Sequence, residues 1–450
     1  MPVRDFATSD DPAVQGQLDR LAKLSLPQGR FGLETIRTML GRLGDPQLHL
    51  PPTFHVAGTN GKGSTCTFLR FMMEEQGLIV HSATKPHLVR YNERIRVAGK
   101  LIEDALLADL LAEVLDASED LGPSFFEVTT AATFLAFAHI DADACVIEVG
   151  LGGRFDATNV LERPAACGIA SLGIDHEGFL LSEDPAAPDH PLARIAFEKA
   201  AIARPGVPLV TQAYPPEATA EVIKIARQAG AQVAMRGQEW VAQAGDVLEY
   251  RDVAGSLTLP RPSLPGLHQT DNAALAVAML RHQTQVAVAS DAMARGLIAA
   301  NWPARLQQLG SGPLTAMVPG AEVILDGGHN PDAARVIAAE LATRPVLNVV
   351  LGMLNNRRVR DFLEPLAPYI DRLWAIPIQG HDHHTPEEIC SAAQALGIET
   401  VSPARDVRGA LDGISETLAS TSDDRHQTVL ITGSLYLAGK VLALNEEIPA

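Results

Sequence analysis

The segment Gly58-Thr59-Asn60-Gly61-Lys62-Gly63-Ser64-Thr65 has the residue types that hold a polyphosphate. Its glycines let backbone N–H groups turn inward on phosphate oxygens, and a helix starting there adds partial positive charge. Lys62 can reach the terminal phosphates. Ser64 or Thr65 can offer a hydroxyl to a magnesium ion. Gly63 separates the lysine from the hydroxyl, so the spacing departs from the ordinary Walker pattern. The flanks fit a strand–loop–helix unit: Thr53-Phe54-His55-Val56-Ala57 reads as a strand, and Cys66 to Met73 has helical apolar spacing.

Other groups fall where open α/β sheets place ligands. Glu148 ends the apolar run Ala144 to Val149 and precedes Gly150-Leu151-Gly152-Gly153. An acid there suits a magnesium ligand, direct or through water. Asp175-His176 closes the next strand on the same rim, and a neutral His176 ring can bind metal. Lys199, in Ala196 to Ile202, reads from spacing alone as part of a solvated helix face. Further on, Leu325-Asp326-Gly327-Gly328-His329-Asn330-Pro331 is a second strand–loop–helix junction. There Asn330 suits an N-cap and Pro331 a first helical position, while Asp326 can accept hydrogen bonds from ribose or water. The cluster His381-Asp382-His383-His384 has a metal-like composition but no second ligand set, and reads as a loop.

These groups must be carried by alternating elements. Strands are expected at Ile79 to Ala83, Ala144 to Val149, Cys167 to Leu172 and Val207 to Thr211. Helices are expected at Gln17 to Leu24, Leu33 to Leu43, Ile102 to Leu115, Thr129 to Ile140 and Glu217 to Ala229. The pattern gives a mostly parallel sheet with helices on both faces. Val247 to Leu259 reads as a small antiparallel piece. After a break at Asn301-Trp302-Pro303, a second alternating series runs to the helix Leu435 to Leu444. Two domains, 1–303 and 304–450, are expected, and Ser182 to His190 reads as a surface insertion.

Of the 450 residues, 46% are hydrophobic and 20% charged, which is ordinary for a globular protein. No apolar run is long enough to span a bilayer, and the first residues lack a signal-peptide core. Cys66, Cys145, Cys167 and Cys390 are scattered, as buried thiols in a reducing compartment would be. A net charge of −18 disfavours nucleic acid as a partner.

Taken together, these motifs resemble folylpolyglutamate synthases and bacterial dihydrofolate synthases of the Mur ligase superfamily. The loop Gly58 to Thr65, the stretch Pro86 to Val97 and the stretch Glu148 to Asn159 resemble three family signatures. Gly173 to His176, Glu198 to Ala200, His268-Gln269 with Asn272, Pro303 with Arg305, and Asp326 to Pro331 follow in family order. Gly352 to Leu354 and Thr432 to Ser434 extend the likeness into the last domain.

The resemblance implies a P-loop domain followed by a smaller Rossmann-like α/β domain, and an ATP-dependent amide ligase. The acceptor would be dihydropteroate or a folate, the amine L-glutamate, and the intermediate an acyl phosphate. It further implies that Gly58, Thr59, Asn60, Gly61, Lys62, Gly63, Ser64, Asn272, Arg305, Asp326 and His329 meet ATP. Mg2+ would sit on Ser64, Glu148 and His176, with Lys62, Lys199 and His176 serving the chemistry. Lys199 would be carbamylated, which burial of a lysine favours. Ser124, Phe125, Phe126, Glu127 and Phe155 would line the pterin site. A cytoplasmic monomer with no membrane partner is expected.

Two positions depart from the family. Lys85 stands where a metal-ligating serine is usual, so its ammonium either partly replaces a cation or points away. Asn355-Asn356-Arg357 stands where aspartate followed by lysine is common, which weakens any claim of an interdomain charge pair there. The other readings are a Mur-type ligase for a different carboxylate and a nucleotide-binding regulatory protein without ligase activity.

Overall fold

A computed structural model describes residues 8–24, 32–175, 180, 184–420 and 426–449. His176 therefore lies outside the described residues, as do Ser182 and the residue after it.

The first sheet contains β1 (Thr53–Ala57), β2 (Val80–Ala83), β3 (Ile95–Val97), β4 (Lys100–Leu101), β5 (Ala144–Glu148), β6 (Ala166–Ile169), β7 (Pro208–Thr211) and β8 (Gln232–Met235). Its order is β4-β3-β2-β5-β1-β6-β7-β8, parallel from β2 to β8. β1 is buried throughout, as a central parallel strand covered on both faces should be. Val56 is level with Glu148 on one side and Gly168 on the other. The loops after β1, β5 and β6 consequently emerge together at one rim.

The chain then forms β9 (Trp240–Ala244), β10 (Val247–Asp252) and β11 (Gly255–Pro260), an antiparallel piece that begins before the expected Val247. The last sheet holds β12 (Gln307–Gln308), β13 (Ala321–Leu325), β14 (Val346–Leu351), β15 (Arg372–Ala375), β16 (Val401–Pro403) and β17 (Gln427–Thr432). Its order is β12-β13-β17-β14-β15-β16, with only β12 antiparallel. Between the two larger sheets, Ala304 (φ 55°) and Leu306 (φ 47°) both adopt the left-handed conformation, which non-glycine residues seldom take. Arg305 is held between them.

Helix starts follow their caps. Asn330 accepts a hydrogen bond from Ala333 N–H at 2.9 Å and starts the helix Pro331–Leu341. The helix expected from Thr129 starts earlier, at Phe125, because Ser124 and Glu127 form a capping box.

The C-terminal unit packs directly on the loop after β2. Leu88 and Val89 join its apolar core, and the Arg90 guanidinium donates to the Pro449 carbonyl at 3.0 Å. Gly439 lies mid-helix in Leu435–Leu444, where a Cβ would stand 1.8 Å from the Leu88 carbonyl oxygen. A methyl there must push one backbone off the other. Gly439→Ala should destabilise the docked protein by roughly 1–3 kcal/mol, read as a lower urea midpoint. An unchanged midpoint would mean that the two backbones stand apart in solution.

Candidate functional site

The rim of the first sheet and the loops after β13 and β17 face each other across a cleft of about 1910 Å³. The glycine-rich loop forms its floor. Gly61 has φ +85°, and a Cβ would meet the Asn272 side-chain oxygen at 2.2 Å, so the turn needs glycine for both reasons. The helix Lys62–Glu75 begins directly after it. Lys62 Nζ donates to the Gly58 and Thr59 carbonyls at 3.0 and 3.1 Å, which folds the ammonium over the loop. Thr59 Oγ1 donates to the Gly173 carbonyl at 2.9 Å and ties the loop to the segment after β6. Thr59, Asn60, Gly61, Lys62, Gly63 and Ser64 line the cleft, whereas Gly58 is turned against Ala170 instead.

One wall comes from the helix Leu267–Arg281. His268, Gln269 and Asn272 line the cleft there, and Asn272 Nδ2 donates to Gln269 Oε1 at 3.0 Å. Buried Gln269 Nε2 and His268 Nδ1 have no partner among the described residues. Burial, then the charge of Arg305, pushes His268 down to about 4, so its ring is neutral at pH 7. Trp302, read in the sequence only as part of a break, packs over Gly63, whose Cβ would lie 2.9 Å from its ring.

Glu148 is buried, and burial pushes its carboxyl pKa up against the pull of Lys62, the Lys85 N–H and ammonium, and Arg305. Its Oε2 accepts from Lys85 N–H at 2.9 Å. Lys199 is only 4% exposed, which rules out the solvated-face reading. Burial and then the charge of Lys62 push it down to about 7. This helix, Pro191–Ala200, turns its lysine inward because Ala193, Ala196, Phe197 and Ala200 share the buried side.

The far wall is aromatic. Phe126 and Phe155 are each 39% exposed and face the cleft with Ser124 and Glu127. Glu127 Oε2 accepts from both Ser124 N–H and its hydroxyl, so these two residues also shape the helix start. Phe125 does not line the cleft. It meets Tyr91 edge-on at 6.1 Å and packs against the core, because successive helix residues point about 100° apart. The expected surface insertion Ser182 to His190 is more than surface, since its Asp184 and Pro185 line the cleft.

The C-terminal unit closes the other side with Arg305, Asp326 and His329. Asp326 lines the cleft and accepts from Leu306 N–H at 2.8 Å and Gly328 N–H at 2.7 Å, one bond to each oxygen, which fixes the loop and leaves each oxygen able to accept a further donor. Burial, then Arg357, keeps the His329 pKa low. The claim of an interdomain charge pair that Asn355-Asn356-Arg357 weakened is restored here with a different pair. Arg357 pairs with buried Asp175, and Asn330 Nδ2 donates to Asn60 Oδ1 at 3.1 Å and Asp175 Oδ2 at 3.3 Å. The histidine cluster is a loop, with His383 Nδ1 on the His381 carbonyl and His384 Nε2 on the Arg357 carbonyl.

Comparison with known proteins agrees with this geometry. Residues 312–435 match the family model for the Mur ligase, glutamate ligase domain. The chain is 32% identical over 429 residues to the dihydrofolate synthase/folylpolyglutamate synthase of Bacillus subtilis, covering 91% of this chain and 94% of that protein. Among solved structures, Escherichia coli FolC in complex with DHPP and ADP superposes with a TM-score of 0.82 at 29% identity, covering 96% and 97% of the two chains. A bifunctional folylpolyglutamate synthase/dihydrofolate synthase with Mn, AMPPNP and L-glutamate bound gives 0.80 at 28% identity, with 96% and 97% covered.

Proposed function

The chain belongs to the folylpolyglutamate synthase/dihydrofolate synthase family of ATP-dependent ligases, and from that premise we propose how its cleft works. The enzyme adds L-glutamate to a pteridine-bearing carboxylate, in folate synthesis and polyglutamylation. The observation that carries the reading is the convergence of the glycine-rich loop and buried Glu148 on one cleft closed by the second sheet, with buried Lys199 next to the cleft-lining Glu198. The units 1–303 and 304–450 are proposed as the two working domains.

An acceptor carboxylate oxygen attacks the γ-phosphorus of ATP, and ADP leaves. The glutamate amine then adds to the acyl phosphate carbonyl, gives up a proton, and phosphate departs as the amide forms. Both steps crowd anions together, so cations and positioning carry the catalysis. Lys62 and the loop N–H groups take the phosphates, and Arg305 brings a further charge from the second domain. Asn272 lies on the nucleotide side, next to the unpartnered Gln269 amide N–H and His268 ring nitrogen. Asp326 works by fixing the loop that carries His329. Arg357 and Asn330 hold the domains closed through Asp175 and Asn60.

The donor set suits a hard divalent cation, and we assign Mg2+. Glu148 Oε1 and the Ser64 hydroxyl have no hydrogen-bond partner among the described residues, and both side chains line the cleft. No group of three or more His, Cys, Asp or Glu among the described residues is arranged as a complete cage. Glu148 and Ser64 would hold the ion, with His176 as the further protein ligand by resemblance. Such an ion supplies positive charge at the transferring phosphoryl group. Phe126 and Phe155, with Ser124 and Glu127, are proposed to hold the flat heterocycle. No helix among the described residues is long and apolar enough to cross a membrane. With a net charge of −18, we propose a cytoplasmic monomer that takes small molecules and no nucleic acid.

The test is ADP release with ATP, Mg2+ and L-glutamate, comparing dihydropteroate with tetrahydrofolate. Release with both, and amide products of the right mass, makes the enzyme bifunctional. Release with one assigns a single activity. ATP binding without glutamate-dependent release would overturn the reading.

A further inference from the structure

Lys85 is an unusual group in this cleft. Its backbone is fixed, since its N–H donates to Glu148 Oε2 at 2.9 Å. Its side chain lines the cleft and runs over Gly150, where a Cβ would lie 3.3 Å from Lys85 Cδ and 3.5 Å from Nζ. The ammonium makes no hydrogen bond or ion pair within 4.0 Å to any described residue. It is drawn instead by the charges of Asp156 and Glu148, and repelled by Arg94.

Asp156 cannot satisfy those donors cheaply. Its Oδ2 accepts from Gly150 N–H at 3.0 Å and Leu151 N–H at 2.9 Å. Its Oδ1 accepts from Thr158 N–H at 3.0 Å and from the Thr158 hydroxyl. Glu148 is already held by the Lys85 N–H on one oxygen and faces Lys62. The half-buried ammonium brings three donors to the cleft with no acceptor in reach among the described residues, so an incoming anion is a fitting partner. Phe126 and Phe155 stand on the same cleft, and the phosphate loop lies on its floor. The ammonium shares the cleft with both, feeling the charge of Asp156, next in sequence to Phe155, and of Glu148, which Lys62 also faces.

We propose that Lys85 binds the reacting carboxylate of the acceptor, recognising its charge and holding it toward the phosphate loop. The inference rests on the acceptor reading above. A tethered ammonium does this without any ion being loaded, which makes the interaction measurable in the apo protein. It also selects for an ionised carboxylate over an isosteric neutral amide.

The test is calorimetric binding of pteroate and of its carboxamide to the metal-free, nucleotide-free chain. The wild type should bind pteroate about tenfold more tightly than the carboxamide. In Lys85→Met the preference should collapse to within about twofold, while Lys85→Arg should keep most of it. Lys85→Gln serves in place of Lys85→Met should the latter not fold. A wild type that binds both compounds alike, or a Lys85→Met chain that keeps the preference, overturns the inference and leaves the ligase reading standing. Failure of the wild type to bind either compound overturns the acceptor reading, and this inference with it.

Discussion

Lys62→Met should lower kcat by about 10³-fold while leaving the melting temperature close to that of the wild type. The size of the effect follows from where the ammonium is held. Its contacts are the Gly58 and Thr59 carbonyls at 3.0 and 3.1 Å, so it is already folded over the loop before any nucleotide arrives. Little reorganisation is then needed when charge builds on the transferring phosphoryl group. Methionine keeps an unbranched side chain one atom shorter and loses the charge and donors. The fold should survive, because strand β1 and the helix Lys62–Glu75 are anchored by the apolar side chains of Phe54, Val56, Phe68 and Leu69. Single-turnover measurement of acyl phosphate formation would isolate the step. A loss under tenfold with a normal melt would mean that other cations carry the charge.

Lys199→Ala should cost about a hundredfold in turnover. The wild type should lose activity when carbon dioxide is stripped from the buffer and regain it with bicarbonate. Burial and the charge of Lys62 bring this lysine down to about 7, so at pH 8 most of it is a neutral amine able to take up carbon dioxide. Below pH 7 it is protonated and unreactive, and bicarbonate-limited activity should fall as pH drops through about 7. The stability effect has the same sign. Between about 7 and the ordinary lysine value of 10.5 the unfolded chain binds more protons than the folded one, so stability rises with pH across that window. The folded state is penalised as pH falls toward 7, where the lysine must charge inside the protein. NMR with isotopically labelled bicarbonate would reveal the carbamate. Turnover indifferent to carbon dioxide, with no carbamate signal, would assign Lys199 to packing alone.

Much of this was legible in the sequence because it depends on local order. The loop Gly58 to Ser64, the acid ending β5, and the Asn330-Pro331 helix start are each written in a few consecutive residues. The parallel sheets follow from the alternation of buried strands and helices. What failed was the part set by distant packing. Lys199 has no local mark of burial, and only the tertiary placement of its helix removes it from water. Phe125 and Phe126 are identical neighbours in sequence, and the helix turn alone sends one to the core and the other to the cleft. The pairing of Arg357 with Asp175 joins residues from two domains, which no short-range pattern encodes. One long-range contact did leave a local sign. Gly439 in mid-helix is unfavourable for the helix itself, and here the Leu88 backbone approaches it closely, although Gly16 stands mid-helix with nothing near. His176, a metal ligand by resemblance, lies outside the described residues.

The central claim is that this cleft activates a carboxylate by phosphorylating it before the glutamate amine arrives. It is tested most directly by labelling the acceptor carboxylate with heavy oxygen and following the label through one round of turnover with ATP and L-glutamate. The oxygen that attacks the γ-phosphorus leaves with phosphate when the amide forms. The expected result is inorganic phosphate carrying one labelled oxygen for each amide made. Unlabelled phosphate, formed alongside the amide, would contradict the account.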